Sequence, residues 1–491
     1  MSEGRRQGGR RAPGEARGPR RAGGGQRRPA PGSRVDPARL AAFDVLRQVD
    51  GSDAYANLVL PPMLRQRRIT GRDAGFATEL AYGTLRLRGR YDAVLEQCSQ
   101  RPLEEVDPPV LDVLRLGAHQ LLGMRVPAHA AVSETVGLAR ARVGGGAAQF
   151  VNAVLRRVSE HDLDTWLALV AAAADPDGTE PEARLAAVES HPAWVVRALR
   201  GALRGNGRDA EELPALLAAD NEPPRVTLVV RPGLATDEDV PRDAEPGRWA
   251  PTARIVAGGD PGTLRAVREG RVGVQDEGSQ LLALALAEAP LEGKDATWLD
   301  LCAGPGGKAA LLGALAARRG TRLVANEVAG HRAALVRRSV AALPEGVVEV
   351  REEDGRRIGA LEPGRFDRVL VDAPCTGLGA LRRRPESRWR RRPADLAALG
   401  PLQRELLRSA LEAVRPGGLV AYVTCSPHLA ETHLVVEDVL RGRGDVEQLD
   451  AAALVRSLSP GIPLSARADV QLWPHVHGTD AMYLALLRRT P

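Results

Sequence analysis

Thr297-Trp298-Leu299-Asp300-Leu301-Cys302-Ala303-Gly304-Pro305-Gly306-Gly307-Lys308 is the stretch on which the fold turns. An apolar, β-prone run enters a glycine-rich loop, and a helical stretch follows. Glycines at 304, 306 and 307 let the backbone turn tightly and come close to a ligand, while the helix start exposes unpaired N–H groups. The loop is not a Walker phosphate loop, because Ala309 stands where Ser or Thr is required and Cys302 where the first glycine is required. It is not a Gly-x-Gly-x-x-Gly fingerprint either. Glu327, about 20 residues on and at the end of a second β-prone run, suits a ribose-bearing ligand, whose two hydroxyls a carboxylate can accept.

Outward from this stretch the pattern is regular. Apolar runs at 297–302, 321–326, 347–351, 366–372 and 418–424 alternate with helical segments. That alternation predicts βαβ units, a parallel sheet and helices on both faces, with ligands beyond the carboxyl ends of the strands. The fourth run ends in Asp372-Ala-Pro-Cys375-Thr-Gly and the fifth in Thr424-Cys425-Ser-Pro. Two thiols are thereby expected at one sheet edge, beside the glycine loop. A disulfide is disfavoured in a reducing cytosol, and inert burial is the common fate of cysteine. Asp372, Thr376, Thr424 and Ser426 make a polar setting instead, which favours thiolate chemistry.

Toward the N-terminus the pattern changes. Asp36-Pro37 reads as a helix cap with proline in the first turn. Helices are expected from there and around 53–68, 72–100, 109–124 and 129–158, where Val151, Val154, Leu155 and Val158 share one face. Residues 35–165 are expected as an all-helical domain, 166–260 as a helical connector and small α+β module, and 261–491 as the α/β domain. Residues 1–34 are an Arg/Gly/Pro-rich arm, expected to be disordered. It holds ten Arg against Glu3 and Glu15, a charge of +8, which leaves the other 457 residues at −2 of the overall +6. Such an arm suits a polyanion, although 66 of the 68 basic residues are Arg and an Arg-rich composition alone would produce it. Seven Arg crowd residues 382–392 around Trp389, an expected single-stranded RNA track.

With 491 residues, 44% hydrophobic and 26% charged, the chain has an ordinary globular balance and room for about three domains. No apolar run reaches membrane-spanning length, no secretory signal is evident, and the four cysteines include no Cys-x-x-Cys pair. A cytoplasmic location, no membrane and no metal are expected. His119, His331, His428, His475 and His477 show no ligand spacing.

Together, Gln275-Asp-Glu-Gly-Ser-Gln280, the Cys302–Lys308 loop, Asp354-Gly-Arg356, Asp372-Ala-Pro-Cys375 and Thr424-Cys425-Ser426 resemble the RNA cytosine-5 methyltransferases. The helical domain, ending Phe150-Val-Asn-Ala-Val-Leu-Arg-Arg157, resembles the NusB-type RNA-binding domain. The pairing is similar to the Sun/Fmu family, over about residues 36–490. The resemblance implies a Rossmann-like S-adenosylmethionine methyltransferase domain acting on small-subunit (16S) ribosomal RNA, as a monomer. It implies that Cys302, Ala303, Gly304, Pro305, Gly306, Gly307 and Lys308 take the methionine part of S-adenosylmethionine, Glu327 the ribose, and that Asp354 lies near the adenine. It further implies that Asp372 closes the pocket beside the target base, Cys425 attacks cytosine C6, and Cys375 promotes release. Gly304, Asn326-Glu327 and Thr479-Asp480-Ala481-Met482-Tyr483 depart from the family pattern; the last bears on packing rather than chemistry. Transfer RNA is the alternative substrate. A non-catalytic NusB-like RNA-binding factor is the alternative outside enzymes, and paired thiols argue against it.

Overall fold

Five strands laid parallel by βαβ crossovers form the centre of the C-terminal half of this computed structural model, which describes residues 35–52 and 54–490. The arm and its expected disorder lie outside the described residues. Twelve strands occur among the described residues: β1 (Val226–Val230), β2 (Glu245–Pro246), β3 (Ala253–Val256), β4 (Val272–Val274), β5 (Thr297–Asp300), β6 (Arg322–Asn326), β7 (Val348–Arg351), β8 (Phe366–Asp372), β9 (Val414–Thr424), β10 (Val446–Leu449), β11 (Val470–Gln471) and β12 (Tyr483–Arg489).

The larger sheet has the order β10-β12-β9-β8-β5-β6-β7, with β11 paired to β12. Strands β7, β6, β5, β8 and β9 are mutually parallel. The order reverses between β5 and β8, the switch point at which loops splay apart and leave a crevice. Helices Glu277–Glu288, Gly307–Arg319, Gly330–Val340 and Ala451–Leu458 pack on one face. Gly355–Leu361, Pro393–Ala413 and His433–Leu440 pack on the other. Both faces are covered, and β8 is buried along nearly its whole length, with Phe366, Val369, Leu370 and Val371 in the core. The expected all-parallel sheet is corrected at its edge: β12 runs antiparallel to β9, Tyr483 pairing with Thr424. It enters at the cysteine end after the short helix Pro474–His477, which returns the chain antiparallel to β11 as well. The domain is Rossmann-like.

The N-terminal region is all-helical. Asp36 caps the first helix, Pro37–Gly51, accepting from the Arg39 N–H at 2.8 Å. Val151, Val154, Leu155 and Val158 are all buried in one helical core, as their spacing predicts. Two expected long helices are each broken in two. Gly71–Arg86 and Arg88–Cys98 meet at Leu87, and Ala128–Arg142 and Gly145–Val158 meet at Gly144, whose φ of 135° only glycine tolerates readily. The connector helices Ala193–Gly205 and Leu213–Asn221 dock Leu199, Leu203 and Leu217 against Leu378, Leu381 and Trp473 of the α/β domain. The small module is an antiparallel sheet of order β2-β3-β1-β4, and its last strand lies beyond residue 260. No helix among the described residues is long and apolar enough to cross a membrane.

The arginine run is corrected outright. Arg388 is fully buried, its guanidinium donating to the carbonyls of Arg86, Ser190 and Asp220 and to Asn221 Oδ1 at 2.9–3.2 Å. Burial pushes its pKa down to about 10. Arg390 donates to the carbonyls of Val49, Ser52 and Ala54. Arg382 and Arg383 pair with Asp480, and Arg383 also with Asp276 at 2.8 Å. Trp389 packs over Gly89 of the helical domain. Only Arg384, whose guanidinium lies 4.9 Å from the Tyr55 ring centroid, and Arg392 are exposed. The segment is mortar between domains, because a guanidinium that satisfies carbonyls can be buried where an ammonium could not.

Candidate active site

The carboxyl ends of β5, β6, β8 and β9 carry the site. From β5 the chain turns through Cys302–Lys308 into a helix beginning at Gly307. Asn326, ending β6, ties three loops together: its amide donates to the Leu301 and Glu353 carbonyls and its Oδ1 accepts the Glu353 N–H. Glu327 is buried, accepts from the Gly304 N–H at 3.1 Å and the Ala329 N–H at 3.0 Å, and pairs with Arg332 at 3.3 Å. A Cβ at Gly304 would strike the Glu327 carboxylate, so glycine here permits the close approach of loop and acid. Asp354 caps the helix after β7, and its carboxylate is held by Arg356 at 2.6 Å, which keeps its pKa below the usual carboxylate range.

Lys308 reaches across the switch point to Asp372, Nζ to Oδ2 at 2.9 Å. Beside them Cys375 Sγ and Cys425 Sγ stand 3.4 Å apart, both thiols free. The Cys425 thiol is lowered in pKa, first by the hydrogen bond from Cys375 and then against burial and Asp372 with help from Lys308 and Arg384. Cys375 is pushed well up, first by that same hydrogen bond, then by burial and by the charges of Cys425 and Glu431. The two thiols are thus shifted in opposite directions, Cys425 down and Cys375 up. Burial raises Cys302 as well.

Sequence reasoning passed over Asp300. It ends β5 and is fully buried, and among the described residues neither of its carboxylate oxygens has a hydrogen-bond partner. Burial, then the charge of Asp372, raises its pKa to about 8. The signal was present as a lone carboxylate in an apolar strand. The Gln275–Gln280 run is mostly scaffold: Asp276 caps a helix and holds Arg383, Glu277 accepts from the Trp249 and Ala250 N–H groups, and Gln280 bonds Thr252 and the Leu228 carbonyl. Among the described residues no His/Cys/Asp/Glu cluster could hold a metal.

A partnerless buried carboxylate, a second acid ringed by N–H donors and a glycine cradle between them fit a ligand that carries both positive charge and hydroxyls. A family model described as 16S rRNA methyltransferase RsmB/F matches residues 285–488, and the NusB family model matches 36–160. The ribosomal RNA small subunit methyltransferase B of Pseudomonas putida is 34% identical, covering 84% of this chain and 91% of its own length. The chain belongs to the RsmB/F family. It is an RNA methyltransferase with a NusB-family domain at its N-terminal side. A Mycobacterium tuberculosis protein, named a methyltransferase by inference only, is 52% identical over 96% of this chain and 99% of its own length. The crystal structure of PH0851 superposes with a TM-score of 0.75 over 93% of this chain and 99% of that chain; at 21% identity this speaks for the fold alone. The RsmB/F match covers Cys302–Lys308, Glu327, Asp354, Asp372, Cys375 and Cys425, and it covers Asp300 as well.

Proposed function

We propose that this enzyme methylates carbon 5 of a cytosine in small-subunit (16S) ribosomal RNA, with S-adenosylmethionine as donor and a covalent bond between Cys425 and cytosine C6. The observation that carries the reading is the pair of thiols 3.4 Å apart beside the Lys308–Asp372 ion pair. The names of the relatives support the RNA class, and the cytoplasm is where that RNA is met. The Cys302–Lys308 loop takes the methionine part of the cofactor, Glu327 the ribose, and the region of Asp354 the adenine. When bound, S-adenosylmethionine supplies an electrophilic methyl group.

Carbon 5 of cytosine is a weak nucleophile. The Cys425 thiolate adds to C6, and the electron pair gained by the ring makes carbon 5 enamine-like. Asp372, passing on to N3 a proton from the Lys308 ammonium paired with it, offsets the charge that gathers there. After methylation the C5 proton must leave and the C6–sulfur bond must break. Cys375 takes that proton, directly or through water. Its timing follows from the site's electrostatics: the largest cause of its high pKa is the hydrogen bond it gives Cys425. Once Cys425 sulfur is a thioether that partner's charge is gone, and Cys375 gives its proton to water more readily at the step that needs a base. The target must be unpaired or flipped out to expose C6.

Labelled methyl from S-adenosylmethionine is expected in one mapped cytosine of deproteinised, unmodified 16S rRNA. Cys425→Ala should lower transfer by at least about a thousandfold while cofactor affinity in calorimetry stays within about threefold. Appreciable turnover in that variant would sink the nucleophile assignment. Labelling of transfer RNA instead of 16S rRNA would overturn the substrate.

A further inference from the structure

Behind the two cysteines lies a carboxylate that the reaction above leaves unused. Glu431 closes the short turn Leu429–Glu431, six residues past Cys425, and is fully buried. Among the described residues no Lys, Arg or His pairs with it. A buried carboxylate without a cation is costly, and it persists where several donors satisfy it. Here all three donors bear on one turn. Oε1 accepts from the Thr376 N–H at 2.7 Å and from Gln403 Nε2 at 3.3 Å, and Oε2 accepts from Thr376 Oγ1 at 2.5 Å. Gln403 also donates to the Pro374 carbonyl at 2.8 Å. The residues on both sides of Cys375 are thereby fastened to one carboxylate. Thr376 Oγ1 lies 3.4 Å from Ser426 Oγ, so the same knot touches the neighbour of Cys425, and Arg391 Nε donates to the Thr376 carbonyl at 3.1 Å.

We propose that Glu431 is a positioning residue for release: it sets the Pro374–Thr376 turn so that Cys375 sulfur faces the reacting carbon, while Cys425, directly after the end of β9, is held through its own carbonyl by the Gly379 N–H. The inference rests on the covalent reading proposed above. It separates two steps that an ordinary structural residue would affect alike. Addition and methyl transfer depend on Cys425, β9 and the cofactor loop. Proton removal from C5 depends on where the Pro374–Thr376 turn holds Cys375, and displacement of a catalytic group by an ångström costs far more than its contact count suggests.

The test uses the full chain, labelled S-adenosylmethionine and unmodified 16S rRNA, with Cys375→Ala run alongside. Glu431→Gln keeps the volume but turns an acceptor into an amide donor facing the Thr376 donors. Its multiple-turnover rate is expected to fall about tenfold to a hundredfold. Its first-turnover methyl transfer should fall by less than about threefold, with an RNA–protein adduct surviving a denaturing gel as it does for Cys375→Ala. Should Glu431→Gln not fold, Thr376→Val removes only the hydroxyl contact and is expected to give the same signature more weakly. Equal loss of both rates without adduct, while Cys375→Ala traps one, would overturn the role of Glu431 and leave the covalent reading standing. Absence of adduct in Cys375→Ala as well would overturn both.

Discussion

Asp300 is the residue at which the site's physics is most exposed. Its pKa of about 8 in the fold lies above the ordinary value of 3.8, so between those limits the folded chain holds a proton that the unfolded chain has lost. Stability from this residue therefore falls as pH rises from about 4 to 8, the reverse of a salt-bridged aspartate. Asp300→Asn is expected to be more stable than the parent at pH 8 and to lose that advantage near pH 4, as measured by urea unfolding at both pH values. A cationic ligand would draw the proton off. Binding of S-adenosylmethionine near pH 7 should therefore release protons, seen as a heat that varies with buffer ionisation enthalpy. In Asp300→Asn that release should vanish and affinity drop about tenfold. A buffer-independent heat in the parent would refute the pairing. The sequence showed a carboxylate in an apolar run but not its titration, because such an aspartate looks the same whether its partner is a lysine or nothing.

At the scale of elements, the two cysteine-bearing loops are also joined backbone to backbone. The Gly379 N–H donates to the Cys425 carbonyl at 2.9 Å, and the Gly379 carbonyl accepts from the Ala481 N–H at 2.8 Å. A Cβ at Gly379 would meet the carbonyls of Ala481 and Cys425, neither of which can swing aside. Gly379→Ala should cost about 1–3 kcal/mol in urea unfolding and lower turnover with it. Wild-type turnover in a destabilised variant would show that the Cys425 backbone does not need this contact. The βαβ alternation, the caps at Asp36 and the apolar face of 151–158 were legible because period and cap chemistry are local. The break at Leu87 was not, since the flanking Gly83 and Gly89 lie within the two helices and Leu87 itself is an ordinary helix former. The return of β12 was hidden too, because the direction of a strand is set by where its connection begins. Glu431 was illegible for a different reason: its donors, Thr376 and Gln403, are 55 and 28 residues away.

For the whole molecule the decisive residue is Arg388. Charge density in 382–392 looks the same in sequence whether guanidiniums face phosphates or carbonyls, and here most of them face carbonyls. Arg388→Ala would leave the carbonyls of Arg86, Ser190 and Asp220 buried without donors, and is expected to cost about 3–5 kcal/mol. The helical region, connector and α/β domain share this one side chain. Its loss should therefore split a single calorimetric transition into two, and an unsplit transition with unchanged midpoint would refute its role as the joint. The stretch that carries Arg388 begins at the Cys425 carbonyl through Gly379, touches Thr376 through Arg391, and ends on the first helix of the chain through Arg390. It is a beam with one end in the chemistry and the other in the helical region. Strain applied at the helical end is thereby carried along chain and hydrogen bonds to the turn that holds the second thiol.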